Sequence, residues 1–196
     1  MQNHDDTDQT PLYSEILATE EQVKEKINVL ATKLIHEFKG KNPLFVCLLR
    51  GGIPFASQLM FAIAKQDSHF HPELDYMTVS RYGEKLTGTT PRIIMDLSHK
   101  TTVTDRPVIV VDDMIDGGDT YAFTKKHLEN RGARSVYLAA LVQREIKNPR
   151  EFDANFYCFS VASQEWLVGM GLDDVRLGID ANRWMPWIAT AHMPGK

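Results

Sequence analysis

The segment Val108-Ile-Val-Val-Asp-Asp-Met-Ile-Asp-Gly-Gly-Asp-Thr120 decides how this chain is read. Behind Pro107 its first four residues are continuously apolar and mostly β-branched, which suits a strand buried on both faces. From about Thr120 to Asn130 the composition suits a helix, ended by Arg131-Gly132. The loop between them holds Asp112, Asp113, Asp116, Gly117 and Gly118. In an open parallel sheet, ligands bind where strands end and helices begin. Gly117 and Gly118 let backbone N–H groups approach a ligand closely. Thr120 adds a hydroxyl, and the helix N-terminus adds unpaired donors and a field that favours an anion. Asp112 and Asp113 beside a phosphate need a reason not to repel it. A divalent cation supplies one, and carboxylates suit magnesium; a pair of sugar hydroxyls supplies another. The layout points to a phosphorylated sugar with a metal. A solvated acidic turn and an acidic metal pocket of the receiver or phosphatase type compete with it. A P-loop is excluded, since no Gly-x-x-x-x-Gly-Lys-[Ser/Thr] occurs.

Outward from that segment, strands alternate with helices. Thr19 and Gln22 form a capping box. Val23, Ile27, Leu30, Leu34 and Phe38 then make one apolar stripe, with Gly40 placed to end the helix. Leu44 to Leu49 is an apolar run of strand length, broken by Arg50-Gly51-Gly52, and Pro54 stands in the first turn of a helix carrying Phe55, Leu59, Met60 and Ile63. Leu74 to Tyr82 reads as a strand and Arg92 to Leu97 as a short one. The polar stretch 83–91 is long for a connection and is expected to be functional or disordered. Ser135 to Val142 and Ala154 to Val161 are further strands. This alternation implies an α/β fold with a parallel sheet flanked by helices.

Bulk properties bound the function. The 196 residues suffice for one α/β domain, and the net charge is −4 with no long basic block, which argues against nucleic acid as a partner. No apolar stretch is long enough to span a membrane. Cys47 and Cys158 lie inside apolar runs and read as small buried hydrophobes, not as a disulfide or metal pair, so a cytoplasmic setting fits. Residues 1–11 read as a disordered acidic tail and 12–196 as a single domain.

Val110-Val-Asp-Asp-Met-Ile-Asp-Gly-Gly-Asp-Thr120 resembles the phosphoribosyl pyrophosphate signature of type I phosphoribosyltransferases. Leu48-Leu-Arg-Gly-Gly52 resembles that family's pyrophosphate turn. Asp75-Tyr-Met-Thr-Val-Ser-Arg-Tyr-Gly83 resembles the entry to the mobile loop of the hypoxanthine-guanine branch, and Glu165-Trp-Leu-Val-Gly-Met-Gly-Leu-Asp173 its purine-pocket segment. The resemblance implies transfer of a phosphoribosyl group to a purine base with release of pyrophosphate. It implies Asp116 as the proton holder at the purine N7 and Asp112 and Asp113 at the ribose hydroxyls and magnesium. Asp116, Gly117, Gly118, Asp119 and Thr120 would form the 5′-phosphate loop. Leu49, Arg50 and Gly51 would bind pyrophosphate across a cis peptide bond. Met114, Trp166 and Leu167 would meet the base, and Asp173 would reach a second magnesium beside it. Arg81 and Tyr82 would open the mobile loop. A small hood built from chain ends, about 12–40 and 155–196, and a homodimer or homotetramer are implied too.

The chain departs from the family's pattern in places. Asp112 stands where Glu is common, Gly117 where a hydroxyl residue is, and Asp119 where Lys, Arg or Asn is. Gln143 takes the position of the Lys that holds the purine 6-oxo group; its amide can donate to an oxo group or accept from an amino group. Hypoxanthine and guanine remain the expected bases, with xanthine, adenine or a modified purine open, and Arg144 as a conceivable substitute cation. The family's later pyrophosphate-binding Arg falls at Ile179, which leaves Arg176 and Arg183 as candidates. A non-catalytic sensor of phosphoribosyl pyrophosphate or purine on the same fold is the competing class of function.

Overall fold

The computed structural model describes residues 13–80, 91–147, 150–162, 165–173 and 182–191. The expected tail at 1–11, the loop residues Arg81 and Tyr82, and Arg176 and Ile179 lie outside them. The first strand, β1 (Glu15–Ala18), leads into helix α1 (Glu20–Phe38). The expected capping box starts α1: Thr19 N–H donates to the Gln22 side chain at 2.9 Å, and the Thr19 hydroxyl accepts from Gln22 N–H. The whole stripe from Val23 to Phe38 is buried.

A six-stranded sheet follows. Its strands are β2 (Leu44–Leu48), β3 (Glu73–Ser80), β4 (Arg92–Met95), β5 (Pro107–Ile115), β6 (Ser135–Arg144) and β7 (Phe156–Val161), in the order β4-β3-β2-β5-β6-β7. All neighbours are parallel except β3 and β4, which pair antiparallel. Helix α2 (Gly52–Gln66) connects β2 to β3, and α3 (Asp119–Asn130) connects β5 to β6. The chain leaves β2 toward β3 and later returns to β2's other side as β5. The turn after β2 and the loop after β5 therefore face each other at the point where the winding reverses, where such sheets open a crevice. One apolar cluster lies against α1 and α2 and includes Phe45, Ile109, Leu141 and Val142. The other lies against α3 and includes Val110, Leu128, Leu138 and Ala154.

Two expectations change. β5 does not stop at Val111, because β6 keeps pairing with it: Asp112 faces Ala140, Met114 faces Val142 and Ile115 faces Gln143. Asp112 and Asp113 are therefore held on a strand, not in a loop. The hood is also narrower than the two chain ends. Among the described residues it is a three-stranded antiparallel sheet of β1, β8 (Trp166–Val168) and β9 (Ile188–Ala191), ordered β1-β9-β8. Helix α1 belongs to the main layer, since its stripe needs the sheet face to be buried; Phe38 stacks edge-on against Tyr137 and Phe156, with ring centroids 5.1 and 5.9 Å apart. β7 belongs there too, paired with β6 along its length. Cys47 and Cys158 are buried free thiols, as expected. Among the described residues no helix is long and apolar enough to cross a membrane.

Candidate active site

The two crevice walls meet through glycines. The Leu49–Arg50 peptide is cis, as the resemblance implies. Gly51 then packs so closely on Asp113 that a Cβ there would overlap the Asp113 carboxylate. A Cβ on Gly171, in the turn after β8, would overlap the Gly51 carbonyl. The Leu49–Gly51 turn, the acidic strand end and the 169–173 turn are thus in mutual contact. Arg50 itself is exposed at the crevice rim.

The adjacent carboxylates are strongly perturbed. Burial and then the charge of Asp113 push the Asp112 carboxyl well above its ordinary range. Burial lifts Asp113 to about 6, against the pull of the Met114 N–H and the Arg183 guanidinium. Two oxygen-rich groups with a high cost of ionisation are stabilised by a hard cation, so their chemistry fits magnesium. Asp173 is different. Its Oδ2 pairs with Arg183 Nη2 at 2.9 Å, and Arg183, almost fully buried, also donates to the Gly171 carbonyl. Of the candidate metal carboxylates, Asp173 therefore already carries a resident cation.

Past Ile115 the chain turns into α3. Gly118 is the N-cap in the left-handed region, with φ of 89°, where a β-carbon is strained. Asp119 opens the helix with an exposed side chain. Asp112, Asp116, Gly117, Gly118 and Thr120 line one pocket of about 100 Å³ with Tyr121 and Leu138. The expected phosphate residues are thus together, save that Asp119 lies outside the pocket lining.

One residue absent from the sequence reading holds this loop. The Arg150 guanidinium donates to the carbonyls of Asp116 (2.6 Å), Ile115 (3.3 Å) and Arg144 (2.7 Å) and to Asp153 (2.7 Å). Its main partners are carbonyl oxygens, which leave no trace in a sequence, so no spacing marks it.

The base-side residues separate. Met114 packs on the α1–α2 cluster together with Leu167, which is buried. Alternation puts Trp166 on the other face of the hood sheet, with Val168, Tyr13 and Trp187, and its indole N–H donates to the Asp173 carbonyl. Stacking of Trp166 on a purine thus has no support from the face it occupies. The Gln143 side-chain carbonyl accepts from Ala154 N–H at 2.9 Å. Arg144, 6% exposed, approaches Asp116 Oδ1 at 3.6 Å and Met114 Sδ at 3.7 Å.

Residues 13–174 match the phosphoribosyl transferase domain family. The hypoxanthine-guanine phosphoribosyltransferase of Lactococcus lactis is 37% identical over 81% of this chain and 82% of its own. That of Streptococcus mutans is 35% identical over 81% and 84%. Among solved structures, a hypoxanthine phosphoribosyltransferase from Staphylococcus aureus superposes with a TM-score of 0.80 at 25% identity over 92% of both chains. A hypoxanthine-guanine phosphoribosyltransferase from Bacillus anthracis gives 0.78 at 26%, over 92% of this chain and 99% of that one.

Proposed function

The chain belongs to the phosphoribosyl transferase domain family, and from that premise we propose that it transfers the 5-phosphoribosyl group of phosphoribosyl pyrophosphate to hypoxanthine or guanine, releasing the nucleoside monophosphate and pyrophosphate. The observation that carries this reading is the meeting of three pieces at the winding reversal, the first two in contact and the last two lining one pocket. They are the Leu49–Gly51 turn, the Asp112–Asp113 strand end and the Asp116–Thr120 loop at the start of α3.

Each piece has a task in that reaction. The loop from Asp116 to Thr120 binds the 5′-phosphate at the helix N-terminus, where amide donors and the helix field favour it. Asp112 and Asp113 accept hydrogen bonds from the ribose hydroxyls. The same pair would hold magnesium, which when bound offsets the charge growing on pyrophosphate as it leaves. Arg50 at the rim takes part of that charge, and Arg183 stands close enough to Asp113 to shape the same field. Asp116 accepts the purine N7 proton. Met114 and Leu167 give the base an apolar wall from which water is excluded.

Assembly as a homodimer or homotetramer and a cytoplasmic location belong to the same reading. Phe61 and Trp184, each about two-thirds exposed, offer apolar surface for a second copy. The test is a turnover panel with magnesium, phosphoribosyl pyrophosphate and hypoxanthine, guanine, xanthine or adenine in turn. Nucleotide formation from hypoxanthine or guanine is expected. Binding of the donor without turnover of any base would favour a sensor.

A further inference from the structure

We propose that Arg144, and not Gln143, reads the 6-position of the base, and that it makes the site selective for 6-oxopurines over 6-aminopurines. The inference rests on the purine transferase reading above and deepens it.

Neighbouring residues of a strand point to opposite faces, so only one of the pair can face the base. Three observations decide which. First, Gln143 reaches the α3 side: its partner Ala154 belongs to the cluster of Val110, Leu128 and Leu138. A backbone N–H only donates, so the Gln143 oxygen must be the atom that meets it, whichever way the amide was placed. Second, Arg144 reaches the other side. Its guanidinium lies 3.6 Å from Asp116 and 3.7 Å from Met114, whose side chain packs on the same cluster as Leu167. Third, the strand's alternation shifts just before this point. Leu141 and Val142 both pack on the α1–α2 side, which carries Gln143 away from it and Arg144 toward it. The Arg150 bond to the Arg144 carbonyl fixes the backbone there.

The resulting wall has a fixed hydrogen-bond polarity. A guanidinium has donors only and keeps its charge, whereas an ionised carboxylate has acceptors only. Arg144 and Asp116 side by side thus present a donor next to an acceptor. A 6-oxopurine protonated at N7 shows an acceptor next to a donor, the complement of that pair. A 6-aminopurine sets its amino hydrogens against the guanidinium, donor against donor, an arrangement that sites built for hydrogen bonding reject strongly.

The experiment compares kcat/KM for hypoxanthine and adenine in the intact protein and in Arg144→Gln, Arg144→Lys and Gln143→Leu. The expected wild-type preference for hypoxanthine is at least about 10²-fold. Arg144→Gln should lower the hypoxanthine-to-adenine ratio about tenfold or more, by raising KM for hypoxanthine while KM for phosphoribosyl pyrophosphate holds. Arg144→Lys should restore most of the ratio, and Gln143→Leu should leave it within about twofold of wild type. A ratio that follows Gln143 and ignores Arg144, or a wild type that uses adenine as well as hypoxanthine, overturns the proposal. If Arg144→Gln does not fold, Arg144→Lys and the wild-type ratio still decide. Silence on every base would fail the transferase reading alone. Calorimetric binding of inosine and adenosine monophosphates then tests Arg144: an inosine preference lost in Arg144→Gln supports it, and equal wild-type binding overturns it.

Discussion

Asp112 lies on β5 and Asp116 just past its end, and the proposed reaction gives them different work, which substitution should separate. Asp116→Asn keeps size and one acceptor oxygen but cannot take up the N7 proton. Turnover should fall about 10²-fold or more, the usual scale for a lost acid–base group, while phosphoribosyl pyrophosphate binding by calorimetry stays near wild type. Equal loss of both would remove Asp116's proton role. Asp112 carries a cost in the ligand-free protein, because burial and the charge of Asp113 disfavour its ionised form. A carboxyl raised in the folded state lowers stability as pH rises past its titration. Asp112→Asn should therefore raise the ligand-free melting temperature at pH 8 by about 2–4 °C, the shift that about 1 kcal/mol gives in a chain of this size. That gain should shrink as pH falls and the wild-type carboxyl takes up its proton, and donor binding should be lost. At this scale the sequence marked Asp112 and Asp116, which the fold brings to one pocket, but did not show that Gln143 and Arg144 reach opposite sides of the sheet. A local break in strand alternation, set by pairing with β5 and by the Ala154 contact, is invisible in the residues themselves.

The strand–turn–helix unit of β5 and α3 was legible because its signals are local: an apolar run, paired glycines, a helix start. The length of β5 was not, because it depends on β6 pairing beyond Val111. Nor was the clamp by Arg150. Arg150→Met would leave the carbonyls of Ile115, Asp116 and Arg144 without their donor and Asp153 without its partner. The loss of buried charge-assisted bonds should cost about 2–3 kcal/mol in a denaturant melt. KM for phosphoribosyl pyrophosphate should rise about tenfold, and Arg150→Lys should recover part of it. An unchanged KM would show that the clamp serves stability alone. The turn after β2 offers a second test of element packing. Gly51→Ala drives a methyl into the Asp113 carboxylate. About 1–3 kcal/mol of stability should be lost to overpacking, with a steep rise in KM for the donor. A variant with wild-type kinetics would show that the two walls can part without harm.

Across the whole molecule, the α/β class and the strands and helices of the main layer followed from periodicity and turn residues, and α1 from its caps and stripe, whereas β1, β8 and β9 carry no such signal. The sheet order did not, because pairing β2 with both β3 and β5 joins residues far apart in the chain. That order is what places the Leu49–Gly51 turn against the acidic strand end. The hood shows the same limit: β1 and β9 come from opposite ends, and only tertiary packing assigns α1 and β7 to the main layer. The proposed function puts donor and base in one crevice, which predicts strict coupling of the two substrates. Phosphorus NMR of the full chain with magnesium and phosphoribosyl pyrophosphate tests this most directly. Pyrophosphate and nucleoside monophosphate should appear in equal amounts when hypoxanthine is added, with little change in the donor before it. Pyrophosphate without nucleotide, or a donor that persists beside hypoxanthine and guanine alike, would contradict the account.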